Sequence, residues 1–154
     1  MKIRILSVGT RLPGWVNEGF ATYVKRLPRE NAVLLEEIPV SRGRGDAARR
    51  IREEGERLLS RVAQGEYVVA LDEAGTAWTS RELAHELERW RQLGVDVALL
   101  VGGPDGLSAS CKARADKSWS LSQHTLPHGL VRVMVAEQIY RAWTLLHGHP
   151  YHRD

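Results

Sequence analysis

The chain has 154 residues, 43% of them hydrophobic and 27% charged. That length favours one domain around one core, expected to span residues 1–154, and that composition excludes a disordered chain. Lys and Arg number 22 against 19 Asp and Glu, an excess that permits nucleic-acid binding without requiring it, so the arrangement of charge matters more than its sum.

Met1-Lys2-Ile3-Arg4-Ile5 carries no apolar segment ending in a small-residue cleavage site. It reads as the start of a strand over 2–8, rich in β-branched residues, and export is not expected. Residues 15–27 fit a helix with Trp15, Gly19, Tyr23 and Leu27 roughly on one side. A second strand is expected over 33–38, and Val40 to Asp46 form a basic, glycine-containing loop. The next helix runs from about 46 to 63, with Asp46 as N-cap. Ile51, Leu58, Leu59 and Val62 recur at helical spacing and leave the charged residues outside.

Residues 67–71 (YVVAL) form a short, nearly all-apolar run, as in a strand buried on both faces. Thr79 and Glu82 make a capping box for a helix whose apolar side holds Leu83, Leu87 and Trp90, and Gly94 is its stop. Residues 95–101 are another buried strand, running directly into Gly102-Gly103-Pro104-Asp105-Gly106. A last short strand is expected over 117–121 and a long helix over 129–147. Cys111 is the single cysteine, so no intrachain disulfide is possible, and a small buried thiol is its expected role. No stretch approaches the roughly 18 apolar residues of a membrane span, and a cytoplasmic location is expected. Buried strands alternating with amphipathic helices imply an α/β fold with a mainly parallel sheet, whose ligands bind beyond the carboxyl ends of the strands.

Four segments are candidates for chemistry. Glycines in Gly102–Gly106 let backbone approach a ligand closely, although Pro-Asp-Gly also makes ordinary turns. The segment lacks the Gly-Lys-Ser/Thr ending of a phosphate loop and the spacing of a dinucleotide fingerprint. The loop Leu121-Ser122-Gln123-His124-Thr125-Leu126-Pro127-His128 mixes small, polar and apolar residues, and is either a connector or a backbone wrap for a cofactor. In the final helix, Glu137, Gln138, Arg141 and Thr144 project onto one polar stripe, while almost everything else is apolar. A helix so apolar is central to the core or buried on two sides, the second by another subunit.

Arg132 lies among apolar residues in that helix, where an unpaired guanidinium is very costly. It therefore meets an anion: a protein carboxylate, a cofactor carboxylate or RNA phosphate. The tail, His147 to Asp154, holds three histidines at a spacing that matches no common zinc pattern, so no metal is expected. Its Tyr151, His152 and Arg153 instead suit stacking on a base and contact with phosphate. Among the basic residues, Arg42 and Arg44 in their loop are the best fits for RNA backbone.

Taken together, these segments resemble one family over essentially the whole chain. The likeness runs through Val8-Gly9-Thr10, Trp15, Gly19-Phe20, Tyr23 and Leu71-Asp72, then Leu100 to Ser108, Ser120-Leu121-Ser122 and Thr125 to His128. It ends with Val131-Arg132, Glu137 to Ala142 and Pro150-Tyr151-His152-Arg153. The chain resembles the small SPOUT methyltransferases of bacteria that methylate N3 of a pseudouridine in large-subunit ribosomal RNA.

The resemblance implies an α/β fold with a C-terminal trefoil knot, which no spacing argument predicts. It implies S-adenosylmethionine as cofactor, held largely by backbone groups of Leu71, Gly102, Gly103 and the stretch Leu121, Ser122, Gln123, His124, Thr125, Leu126 and Pro127. Gln123 and His124 are larger than the residues it associates with that stretch. It further implies a homodimer with a composite active site, and the lack of an added RNA-binding domain points to an assembled ribosome as target. His128, Arg42, Arg44, Tyr151 and Arg153 form the expected RNA contacts. The expected chemistry has His152 or a water removing the N3 proton, Arg153 or Arg132 stabilising charge or gripping phosphate, and Tyr151 stacking on the base. The rival readings are a non-catalytic RNA- or nucleotide-binding α/β module and a metal-dependent hydrolase built on the tail histidines.

Overall fold

The computed structural model describes residues 1–152. Five strands form one sheet: β1 (Lys2–Val8), β2 (Ala32–Ile38), β3 (Tyr67–Thr76), β4 (Val97–Val101) and β5 (Lys117–Trp119). All pairings are parallel, in the order β2-β1-β4-β3-β5. The helices are α1 (Gly14–Val24), α2 (Ala47–Ser60), α3 (Ser80–Leu93), α4 (Ala109–Arg114) and α5 (His128–Leu146), with a short 3₁₀ turn at Arg29–Asn31.

Strand side chains alternate between two buried faces. Ile3, Ile5, Val97, Leu99, Val101 and Val69 share a core with Leu83, Leu87, Trp90, Val135 and Ile139, so α3 and α5 cover that face. Leu6, Val8, Ala98, Leu100 and Val68 share a second core with Leu58 and Cys111 under α2 and α4. This explains the continuous apolar runs of β3 and β4. The expected caps are present: Asp46 accepts from Arg49 N, Thr79 and Glu82 form the reciprocal box, and Gly94 takes φ +68.

The differences from expectation have local causes. Helix α1 stops at Val24 rather than 27, because Leu27 precedes Pro28 and its last turn tightens into bonds from Arg26 N to Tyr23 O and Leu27 N to Val24 O. Trp15 is 57% exposed, whereas Val16 faces the core. Gly19 abuts α5: a Cβ there would meet Val133 at 3.2 Å. Strand β3 extends to Thr76 because Trp119 pairs with both Leu71 and Thr76 across a bulge. Strand β5 ends at Trp119, short of residue 121. Helix α4 is an element the sequence pattern left out, capped by Ser108 on Cys111 N. Not every charge of α2 lies outside, since Glu54 is buried.

Helix α5 packs between α1 and α3. Its polar stripe finds partners: Arg141 binds Glu137, and Gln138 meets Ser80. No helix among the described residues is long and apolar enough to cross a membrane.

Candidate functional site

A cavity of about 770 Å³ opens where β3, β4 and β5 end, within the size range of small-molecule sites. One wall is the turn after β4. Gly106 N donates to Gly103 O at 3.0 Å, and Gly106 takes φ +90. The close packing needs glycine: a Cβ on Gly102 would sit 2.6 Å from the Gly106 carbonyl carbon. The opposite wall is the segment before α5, where Ser122 Oγ accepts from His124 N and Ser120 Oγ donates to Ser122 O. Leu71, Trp119, Leu121 and Val131 supply apolar surface. Trp119 is held by stacking on Trp78, with centroids 5.7 Å apart.

The structure thus brings Leu71, Gly102, Gly103, Leu121, Ser122, His124, Thr125, Leu126, Pro127 and His128 to one cavity. Gln123 is exposed and does not line it. Sequence reasoning missed Asp72, Glu73, Lys112, Trp119 and Val131. Asp72 directly follows the apolar run 67–71, so its position at the carboxyl end of that expected strand was the available signal; Lys112 comes through α4, which had none. Three carboxylates, Asp72, Glu73 and Asp105, line the cavity against one lysine. Asp72 pairs with Lys112 at 3.5 Å and Asp105 with Arg50 at 3.1 Å. An acidic, partly apolar cavity with approachable backbone suits a cationic nucleoside.

Arg132 has no exposed surface. Its guanidinium donates to Ser7 Oγ at 2.9 Å, Glu37 Oε2 at 2.8 Å and Gly9 O at 2.6 Å. Of its three possible anions, the structure supplies the protein carboxylate. The expectation that Arg132 touches RNA or the reacting base is corrected: its bonds are spent tying α5 to the ends of β1 and β2.

His128, the first residue of α5, is half-buried on the cavity wall. Burial, and then the charge of Arg132, push its pKa below the ordinary value, while Glu54 pulls it back. Arg42 and Arg44 are exposed in the loop before α2. That loop is tied to the cavity: Arg50 bonds both Asp105 and Gly43 O, and Glu54 accepts from Ser41 N.

The described part of the tail, residues 147–152, folds back on α5 and does not line the cavity of its own chain. Tyr151 donates its hydroxyl to Glu137 at 3.0 Å and packs on Tyr140 with centroids 4.7 Å apart. Burial first, then Glu137, push its pKa up to about 12. His152 is half-buried with Nδ1 unpartnered among the described residues. Arg153 lies outside the described residues. Among the described residues no cluster of His, Cys, Asp and Glu is placed to hold a metal. Cys111 is buried, and burial raises its thiol pKa.

A family profile described as "Predicted SPOUT methyltransferase" matches residues 1–152. The chain belongs to that family. It is 53% identical to a Ribosomal RNA large subunit methyltransferase H of Hahella chejuensis, over all of both chains. It is 56% identical to the protein of that name from Methylococcus capsulatus, over 99% of this chain and 100% of the relative. Two solved structures share the SPOUT fold. A probable methylase family protein of Haemophilus influenzae aligns at TM-score 0.55 and 12% identity, over 99% of this chain and 70% of the other. A putative methyltransferase of Legionella pneumophila, solved with bound SAM, aligns at TM-score 0.51 and 10% identity, over 93% of this chain and 66% of the other.

Proposed function

We propose that this SPOUT chain is an S-adenosylmethionine-dependent methyltransferase acting on N3 of a pseudouridine in large-subunit ribosomal RNA. The observation that carries this reading is the joining of the Gly102–Leu107 turn and the Leu121–His128 segment around one cavity at the strand ends. The names of its relatives, identical at more than half of their positions, support ribosomal RNA as substrate.

The cavity fits the cofactor: glycine backbone at Gly102 and Gly103, apolar contact from Leu71 and Leu121, and the backbone of Ser122 to Pro127 would hold a nucleoside. When bound, S-adenosylmethionine supplies an electrophilic methyl group. The protein's part is to position the target nitrogen and exclude water, and such positioning carries much of the rate. Arg42 and Arg44 stand ready for RNA phosphate.

The same reading makes residues 1–154 one domain, working in the cytoplasm on an assembled ribosome. It makes the active form a homodimer in which the tail, Tyr151 to Arg153, serves the partner's cavity. Exposed Trp15 and half-buried Leu130 and Met134 support such an interface. The trefoil knot belongs to this reading too, supported by the convergence of the segments after β3, β4 and β5.

Mass spectrometry of ribosomal RNA from cells with and without the gene tests it, alongside calorimetry with S-adenosylmethionine. Loss of one methyl on a large-subunit pseudouridine is the expected result. Identical RNA from both strains overturns the reading, and absence of cofactor binding favours a non-catalytic RNA-binding module.

A further inference from the structure

The N3 nitrogen of a pseudouridine carries a proton that must leave during methylation. A group that takes it needs a free lone pair, a neutral resting state and a place on the cavity wall. Sequence reasoning assigned the task to His152 or a water. His152 does not line the cavity of its own chain, and reaches a cavity only across the homodimer proposed above. Two imidazoles do, those of His124 and His128. His124 is exposed on its loop, whereas His128 is half-buried and anchored on the first turn of α5.

The surroundings of His128 form a charge cluster at the end of β1. A Cβ on Gly9 would lie 3.3 Å from His128 Nε2 and 3.5 Å from Arg132 Nη2, so the imidazole and the guanidinium converge on one point. Neither ring nitrogen of His128 has a hydrogen-bond partner among the described residues. A Cβ on Gly103, in the turn after β4, would lie 3.0 Å from both Glu54 Oε1 and Cγ1 of Val8, the residue before Gly9. Glu54 Oε2 accepts from Ser41 N, and Oε1 has no partner among the described residues.

Resting on the functional reading above, we propose that His128 is the proton acceptor of the methyl transfer and that Glu54 is a positioning residue that stabilises the imidazolium formed. As the N3–CH₃ bond forms, the C–S bond breaks and its electron pair stays on sulfur as a thioether. The N3–H electron pair remains on the base, the proton passes to the lone pair of His128, and the imidazolium later releases it to solvent. Arg132 and the positive end of α5 keep the ring neutral beforehand. From other elements, the ring shares its cavity with Glu73, the Asp72–Lys112 pair and the Asp105–Arg50 pair, and with His124. Burial and Arg132 depress the His128 pKa, and Glu54 opposes them.

The test uses the full-length protein as wild type, His128→Gln and Glu54→Gln. It measures cofactor affinity by calorimetry, kcat and KM on ribosomes against pH, and ring titration by NMR without cofactor. His128→Gln should keep its cofactor Kd within about threefold while kcat falls by roughly 10²–10⁴ and loses its acid limb. Glu54→Gln should move the His128 midpoint and the acid limb of kcat/KM to lower pH together, which a purely structural defect does not do. Wild-type kcat in His128→Gln, or an unmoved NMR midpoint in Glu54→Gln, overturns the assignment. Should His128→Gln fail to fold, the wild-type and Glu54→Gln midpoints decide. Absence of any transfer by the wild type overturns the functional reading itself, and this inference with it.

Discussion

Replacing Arg132 by Met keeps the apolar stem and removes the guanidinium. Three acceptors lose their donor: Ser7 Oγ, Gly9 O and Glu37 Oε2. Ser7 and Gly9 are buried and cannot turn to water, so each orphaned group costs about 1–3 kcal/mol. Glu37 is different. Its side chain is 38% exposed against 0% for Arg132, so its carboxylate rehydrates and adds little. The sum is about 4 kcal/mol, and at roughly 2–4 °C per kcal/mol for a domain of this size Tm should fall by roughly 8–16 °C. The converse change, Glu37→Gln, retains a neutral acceptor but leaves the fully buried guanidinium without its counter-charge, and should cost about 3–5 kcal/mol. Urea melts read by linear extrapolation give both numbers and the change in m-value. A loss below about 1 kcal/mol for Arg132→Met with unchanged m would refute the structural assignment of this residue.

Gly102→Ala should weaken S-adenosylmethionine binding by more than about tenfold, since its Cβ falls 2.6 Å from the Gly106 carbonyl carbon and forces the turn open; calorimetry giving an unchanged Kd would exclude that cradle. For Tyr151, the folded pKa is raised from 10.0 to about 12, so the protonated hydroxyl is the form the fold favours. Its contribution is present in full below pH 10 and is lost as pH climbs toward about 12. Tyr151→Phe should therefore be less stable than wild type at neutral pH, with the gap closing on alkaline titration, as measured by urea midpoints across that range.

The chain's own pattern determined much of this protein. Runs such as Tyr67–Leu71 and Val97–Val101 are apolar at every position, and only a strand covered on both sides accommodates that. Side-chain period placed Leu83, Leu87 and Trp90 on one buried face, and put Arg132 among apolar neighbours before any partner was known. Caps at Asp46, Thr79 and Gly94 are local chemistry, legible within four residues. The two cavity-forming segments were legible as candidates from their place at strand ends, but each also read as an ordinary turn or connector, and only the resemblance to the family favoured a cofactor site.

Other features came from contacts distant in sequence. Periodicity says which face is buried and not what buries it, so the order β2-β1-β4-β3-β5 had no local signature. Arg132 needed an anion, and only the pairing of β1 with β2 beneath α5 selected Glu37 over a ligand. Trp15 pointed outward and Glu54 inward against the simple polarity rule, because Gly19 lets α1 sit close on α5 and Ser41 supplies Glu54 with a backbone donor. Gln123 turned from the cavity and Asp72 into it, since loop direction follows the strand ends and the β3 bulge rather than residue type. Local sequence encodes torsions and apolar faces, whereas the partners of a buried charge follow from which strands the folded chain lays side by side.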